Sequence, residues 1–157
     1  MDQGLKNLEM FSENGPHAEN CAYSLGAGGK RIRPFLVFQA CSALGGETAA
    51  ALPSACAVEM IHTYSLIHDD LPGMDNDDLR RGKPTLHRIC GREGALFAGD
   101  ILLMQAFREV LRTPLPSNVT RLMAERLVLA AGASMLVGGQ FMDMYHPPWL
   151  TLPGPKG

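Results

Sequence analysis

The stretch from Pro53 to Asp70 limits the fold more than any other part of the chain. Ala55, Cys56, Ala57, Val58, Met60, Ile61, Tyr64, Leu66 and Ile67 make it apolar on nearly every side, and Pro53 suits the first turn of a helix. A helix of that kind is stable only when other elements surround it. It nevertheless carries Glu59, His62, Ser65 and Asp69. Spacings of three and seven put His62, Ser65 and Asp69 on one face, near Glu59. Buried polar groups cost roughly 2–7 kcal/mol unless they are satisfied. The stripe therefore predicts a water-filled or ligand-filled cavity beside the helix; the plainer alternative is a structural stripe that satisfies itself by hydrogen bonds. For His62 alone the plainer alternative is preferred, but the adjacent carboxylates at the end of the stripe favour the cavity.

The rest of the chain supplies the surrounding helices. Pro34 opens PFLVFQACSAL, which Gly45-Gly46 can end. Leu71-Pro72-Gly73 breaks the central helix, and a polar loop follows to Pro84. A long helix is predicted from about Arg92 to Arg112, stopped by Pro114 and Pro116. Ser117 is a good N-cap for the next, predicted to run to about Tyr145. Strand-like alternation is almost absent and no repeat is visible. These signals predict an all-α helix bundle over residues 1–145. The tail, residues 146–157, holds Pro147, Pro148, Pro153 and Pro155 and is predicted to be irregular. Trp149 in that tail either docks on the core or stands exposed.

Composition removes several function classes. With 46 % hydrophobic residues the chain can bury a core, and a formal net charge of −2 without a basic tail argues against nucleic-acid binding. Positive charge is local, at Lys30-Arg31-Ile32-Arg33 and Arg80-Arg81, which suits a small anion better than a polyanion. Cys21, Cys41, Cys56 and Cys90 form no C-x-x-C pair, so they read as buried free thiols in a reducing compartment. The start, MDQGLKNLEM, lacks the pattern of a secretory signal, and Leu127 to Gly139 is too short to span a bilayer. A cytoplasmic location is expected.

The chemistry concentrates at Asp69, Asp70 and Asp75, where the helix frays into the loop. The C-terminal end of a helix is its negative end, so carboxylates there repel it and one another, and a cation is wanted. Mg²⁺ commonly shares one or two carboxylates with substrate phosphates. Arg80 and Arg81 follow in the same loop, with forked donors that match phosphate oxygens. The combination points to a metal–diphosphate site. A calcium loop starting at Asp75 is disfavoured because its last ligand position is Leu86.

SLIHDDLPGMDNDDLRRGKPT resembles the first aspartate-rich motif of the trans-isoprenyl diphosphate synthases, also called polyprenyl synthetases, in the spacing of bacterial farnesyl and plant-type geranylgeranyl diphosphate synthases. GGKRIRP, LFAGDILL and GGQFMDM resemble three further motifs of the family in the right order, so the resemblance covers roughly residues 20–145. It implies antiparallel helices around a deep cavity, usually in a homodimer, and a Mg²⁺-dependent prenyltransferase joining isopentenyl diphosphate to an allylic diphosphate (dimethylallyl, geranyl or farnesyl). By resemblance, Asp69 and Asp75 hold Mg²⁺ with Asp70 in support, and Arg80 holds the allylic diphosphate. Lys30, Arg33, His62 and Arg81 hold isopentenyl diphosphate. Gln140 and Asp143 face the cavity, and Tyr64 and Ser65 set product length at farnesyl or geranylgeranyl size. Asp100 is expected to make a buried structural hydrogen bond. No nucleophilic triad is needed for this chemistry, and none is evident.

The family pattern continues with a Lys-Thr pair and a second aspartate-rich motif. Neither occurs here, since Asp143 is the last acidic residue and Lys156 has no threonine after it. The chain is thus expected to be the N-terminal part of such an enzyme, with impaired turnover and exposed apolar surface. Two function classes stay open: a prenyltransferase, and a non-catalytic diphosphate-binding or regulatory subunit derived from one. A terpene cyclase ranks below both, because GGKRIRP serves isopentenyl diphosphate.

Overall fold

The computed structural model describes residues 4–5 and 15–145; Trp149 and the Pro-rich tail lie outside them. It is an all-α bundle with one small hairpin. The helices are α1 (Pro16–Leu25), α2 (Ile32–Ala43), α3 (Leu52–Asp69), α4 (Leu86–Leu111), α5 (Ser117–Ala131) and α6 (Leu136–Tyr145). Strands β1 (Leu79–Arg80) and β2 (Lys83–Pro84) pair antiparallel between α3 and α4, inside the stretch read from the sequence as a polar loop.

The apolar helix of the sequence is α3, and it is central. Ala55, Cys56, Ala57, Met60, Ile61, Tyr64 and Ile67 are buried along it. Its main neighbour is α4, which presents Ala95, Ala98, Gly99, Leu102 and Ala106 at helical spacing. The small residues in that row let the two axes come close. Helix α1 completes the core through Cys21 and Leu25. Packing thins away from this centre: α2 buries only Pro34, α5 buries Thr120 and Ala131, and α6 buries none of its described side chains. Phe35, Leu36, Leu129, Val137 and Phe141 are among the large apolar side chains left exposed, in line with the expectation of bare apolar surface.

Two helix boundaries differ from the sequence reading. α4 begins at Leu86, not near Arg92; Gly91 at φ 81° and ψ 170° kinks it, so the regular helix does start near Arg92. The single helix expected from Ser117 to Tyr145 is two. Gly132 leaves the helical region at ψ −162°, and the chain restarts at Leu136. The N-cap expected at Ser117 is instead Pro116, and Ser117 is the first helical residue. By length and composition Ser117–Tyr145 is long and apolar enough to cross a membrane, with a mean hydropathy of 1.4 over an 18-residue stretch within it, which the shorter Leu127–Gly139 reading overlooked. The break at Gly132 interrupts the backbone hydrogen bonding that lipid requires, and Arg121, Glu125 and Arg126 precede it. The stretch is therefore read as an exposed face of the bundle.

Candidate functional site

Two short loops build a cationic cleft against α3. The first joins α1 to α2 and passes through Gly28, Gly29 and Arg31 at positive φ. The second is the β1–β2 turn, where Arg81 (φ 54°) and Gly82 (φ 75°) adopt the paired left-handed conformations of a type I′ hairpin. That turn carries Arg81 back to the first loop, where its Nη1 donates to the Gly28 carbonyl. Gly29 makes this approach possible: a Cβ there would lie 2.5 Å from Arg81 Nη1. The hairpin is also anchored by the Tyr23 hydroxyl, which donates to the Pro84 carbonyl at 2.8 Å.

Lys30, Arg33, His62 and Arg81 all line the resulting cleft of about 510 Å³. His62 is half-buried there. Burial lowers its pKa from the ordinary value, and the nearby Arg33, Arg81 and Arg80 lower it further, against an opposing pull from Glu59. Glu59 borders the same cleft, but its carboxylate is 2.5 Å from Arg31 Nη1 and only 3 % of the residue is exposed. This part of the polar stripe is a satisfied structural pair, which the cavity reading of the stripe did not separate from the rest.

The carboxylates of the aspartate-rich motif diverge. Asp70 is buried and turned toward the hairpin, accepting from Arg80 Nε at 2.8 and 2.9 Å and from Arg80 Nη2 at 2.6 Å. Asp77 lies 3.7 Å from the same guanidinium. Asp69 stays on the open face of α3. Burial raises its carboxyl pKa, and the negative charges of Asp75 and Asp70 add to that, while Arg80 and His68 pull it down. The Asp75 amide donates to the Asp69 carbonyl at 2.8 Å, which folds the loop back over the helix end. A second cleft, about 340 Å³, is bordered by Tyr64, Ser65 and Asp69 on one side and by Gln140, Phe141 and Met144 of α6 on the other.

His68 fixes this end of α3 to α4. Its Nε2 is 3.1 Å from the Leu96 carbonyl, and its ring meets Tyr64 edge-on with centroids 5.7 Å apart. Gly99 provides the slot, since a Cβ there would overlap the imidazole. Asp100, expected to be buried, is exposed and 3.9 Å from His68 Nε2; one position along α4 from the buried Gly99, it falls on the outer side. Asp143 is exposed and does not line the second cleft, whereas Gln140 does.

Among the described residues no three His, Cys, Asp or Glu side chains form a group that could by itself hold a metal ion, because Asp70 is spent on Arg80. Asp69 and Asp75 remain. Their mutual repulsion and their position at the negative end of α3 suit a divalent cation that completes its shell with substrate oxygens. Of the four thiols expected to be buried, Cys41 and Cys90 are only partly so; the buried thiols of Cys21 and Cys56 are pushed up to about 11, chiefly by burial, and neither is a nucleophile at neutral pH.

A family profile for polyprenyl synthetase matches residues 16–151. The chain is 57 % identical over 126 residues to a farnesyl diphosphate synthase of Geobacillus stearothermophilus, covering 78 % of this chain and 42 % of that protein. It is 53 % identical over 131 residues to the large subunit of a heterodimeric chloroplastic geranylgeranyl pyrophosphate synthase of Arabidopsis thaliana, covering 80 % and 35 %. The crystal structure of a geranyltransferase from Legionella pneumophila superposes with a TM-score of 0.84 at 36 % identity, covering 90 % of this chain and 51 % of that one. An FPP/GFPP synthase from Zymomonas mobilis gives the same TM-score and identity, covering 96 % and 58 %. The chain spans roughly two-fifths of the length of the curated relatives it matches.

Proposed function

The chain belongs to the polyprenyl synthetase family, and from that premise we propose that it carries the substrate-binding half of a short-chain prenyltransferase joining isopentenyl diphosphate to an allylic diphosphate, with a farnesyl- or geranylgeranyl-sized product. The observation that supports this most is the lining of the first cleft. Lys30, Arg33, His62 and Arg81 come from separate stretches of sequence and converge there, while Asp69 borders the second cleft on the same helix.

In this reading Lys30, Arg33, Arg81 and His62 bind the diphosphate of isopentenyl diphosphate. Arg80, oriented by Asp70 through Nε and Nη2, faces the allylic diphosphate. When bound through Asp69 and Asp75, Mg²⁺ supplies Lewis-acid stabilisation of the charge that develops on the departing diphosphate. Cationic side chains already in place do the same at no reorganisation cost. Tyr64 and Ser65, about one turn before Asp69 on the same helix, wall the allylic chain and bound its length. Phe141 and Met144 exclude water from the allylic carbon, where water would quench the cation to an alcohol. Gln140 borders the same space. We place the protein in the cytoplasm, as a homodimer in its full-length form.

A second reading is a non-catalytic diphosphate-binding subunit. It is favoured by Asp70, whose carboxylate is taken up by Arg80 and is not left open for a metal. Calorimetric titration of the chain with isopentenyl diphosphate, and separately with dimethylallyl diphosphate plus Mg²⁺, tests the common core of both readings. Binding in each titration is expected. Failure of both ligands to bind would overturn the assignment.

A further inference from the structure

The cationic cleft contains one ion pair that the roles above leave unused. Arg31 donates from Nη1 to Glu59 Oε1 at 2.5 Å and from Nη2 to the Leu25 carbonyl at 2.6 Å. Both side chains are withdrawn from water, at 15 % and 4 % exposure. One guanidinium thus joins the C-terminal end of α1, the glycine loop and the middle of α3. Arg31 also sits at φ 49°, a left-handed conformation disfavoured for a residue with a Cβ and costing roughly 1 kcal/mol or more. The backbone there is held by its surroundings.

The neighbours of Arg31 show what the arrangement fixes. Lys30 precedes it, Arg33 follows two residues later, and both line the cleft; His62 is one turn along α3 from Glu59. Charge alone does not account for the pair. A buried ion pair is weak evidence for stability, since an apolar pair of similar volume often does as well. A carboxylate beside an anion site also opposes anion binding.

We propose that Arg31 and Glu59 are a positioning pair for diphosphate binding: they touch no ligand, and they hold the glycine loop against α3 so that Lys30 and Arg33 meet His62 and Arg81 around one diphosphate. This rests on the isopentenyl diphosphate reading of the cleft. Positioning and electrostatics predict opposite signs. Removing the Glu59 charge makes the cleft more positive and tightens anion binding if electrostatics governs; it weakens binding if loop order governs.

The experiment is titration of the metal-free 157-residue chain with isopentenyl diphosphate, in the wild type and in Glu59→Gln, Arg31→Lys and Arg33→Ala, below the melting temperature of each. Glu59→Gln and Arg31→Lys are each expected to raise Kd about tenfold, the scale of one lost charge-assisted hydrogen bond. Mg²⁺-dependent binding of dimethylallyl diphosphate should be unchanged, which a general loss of structure would not allow. An unchanged or tighter Kd for isopentenyl diphosphate in either folded variant overturns the proposal. So does a failure of both variants to fold, which would make the pair a stability device only. If Glu59→Gln and Arg31→Lys weaken binding and Arg33→Ala does not, the diphosphate sits elsewhere, and the reading of the cleft fails along with the positioning role.

Discussion

The two clefts along α3 are built by opposite means. The cationic cleft is made of loops, yet its frame is tied down: Arg31 bonds to Glu59 and Leu25, Arg81 bonds to Gly28, and Tyr23 holds the hairpin. The carboxylate cleft is made of helices, yet only its α3 side is fixed, through His68 and the Asp70–Arg80 pair. Its far wall is α6, which buries none of its described side chains. The regular element is thus the less secured one. Rigidity in this molecule follows from satisfied polar contacts and burial, and secondary structure alone does not confer it. On the proposed function the difference also separates two tasks, since holding a diphosphate would need only the first cleft, whereas shielding a reactive carbon from water would need both walls of the second.

The largest effect expected from this contrast concerns turnover. The 157-residue chain with Mg²⁺, labelled isopentenyl diphosphate and an allylic diphosphate should form product far more slowly than a full-length relative. Loss of one transition-state contact costs about 10²–10³ in rate, and in these 157 residues Asp70 is committed to Arg80 and the far wall of the second cleft, α6, buries none of its described side chains. Product at the rate of a full-length synthase would show that the second cleft is complete as it stands. Next comes Asp70→Ala. Leaving Arg80 without its buried partner should cost about 3 kcal/mol of stability by denaturant unfolding, whereas Asp69→Ala should be close to neutral on its own. Equal losses would erase the distinction between the structural and the ligand-facing aspartate. Asp69→Ala should instead abolish the thermal stabilisation by Mg²⁺ plus an allylic diphosphate analogue, which for the wild type at a hundred times Kd is about 2.7 kcal/mol. It should leave metal-free isopentenyl diphosphate binding intact; loss of both would mean that the clefts are one site.

What the sequence revealed of these regions follows the same division. The bundle was legible because Pro53, the apolar run behind it and Leu71-Pro72-Gly73 mark α3 by local chemistry. By resemblance Gln140 and Asp143 were expected to face the cavity and Tyr64 and Ser65 to bound the product; the structure puts Gln140, Tyr64 and Ser65 on one cleft with Asp69 and leaves Asp143 off it. The pairings were not legible. Glu59 and Arg31 are separated by 28 residues, and a carboxylate in an apolar helix signals only that some cation is required, not which one. Asp69 and Asp70 are neighbours in sequence with the same side chain; the helical turn of about 100° between them sends one to the open face and the other to Arg80. Gly132 was read through as helix because one glycine in an apolar run costs only about 1 kcal/mol. Asp100 was read as buried because its neighbours are apolar.

The smallest effect tests the contrast by acid. His62 has its pKa lowered by burial and by Arg33, Arg81 and Arg80. The unfolded chain therefore binds a proton on this side chain more readily than the folded one. Stability that is full above the unfolded value of about 6.5 is lost as pH falls toward the lowered folded value. Asp69 runs the other way in metal-free buffer. Its pKa is raised by burial and by Asp75 and Asp70, so as pH falls through that raised value toward the unfolded one, the folded chain takes up the proton first and gains stability relative to neutral pH. Both groups are half open to water, and each contribution should be below about 1 kcal/mol after screening. Melting curves from pH 7 to 5 should show a decline in the wild type that His62→Asn reduces and Asp69→Asn does not. Diphosphate reverses the first sign: an anion beside His62 favours the imidazolium, so isopentenyl diphosphate should bind with uptake of a proton in the same window. Calorimetry in buffers of different ionisation enthalpy measures that uptake. The ligand's own titration is common to wild type and His62→Asn, so only the difference between them counts. A wild type and His62→Asn that take up equal protons would place the diphosphate away from His62 and leave the cationic cleft without its α3 contact.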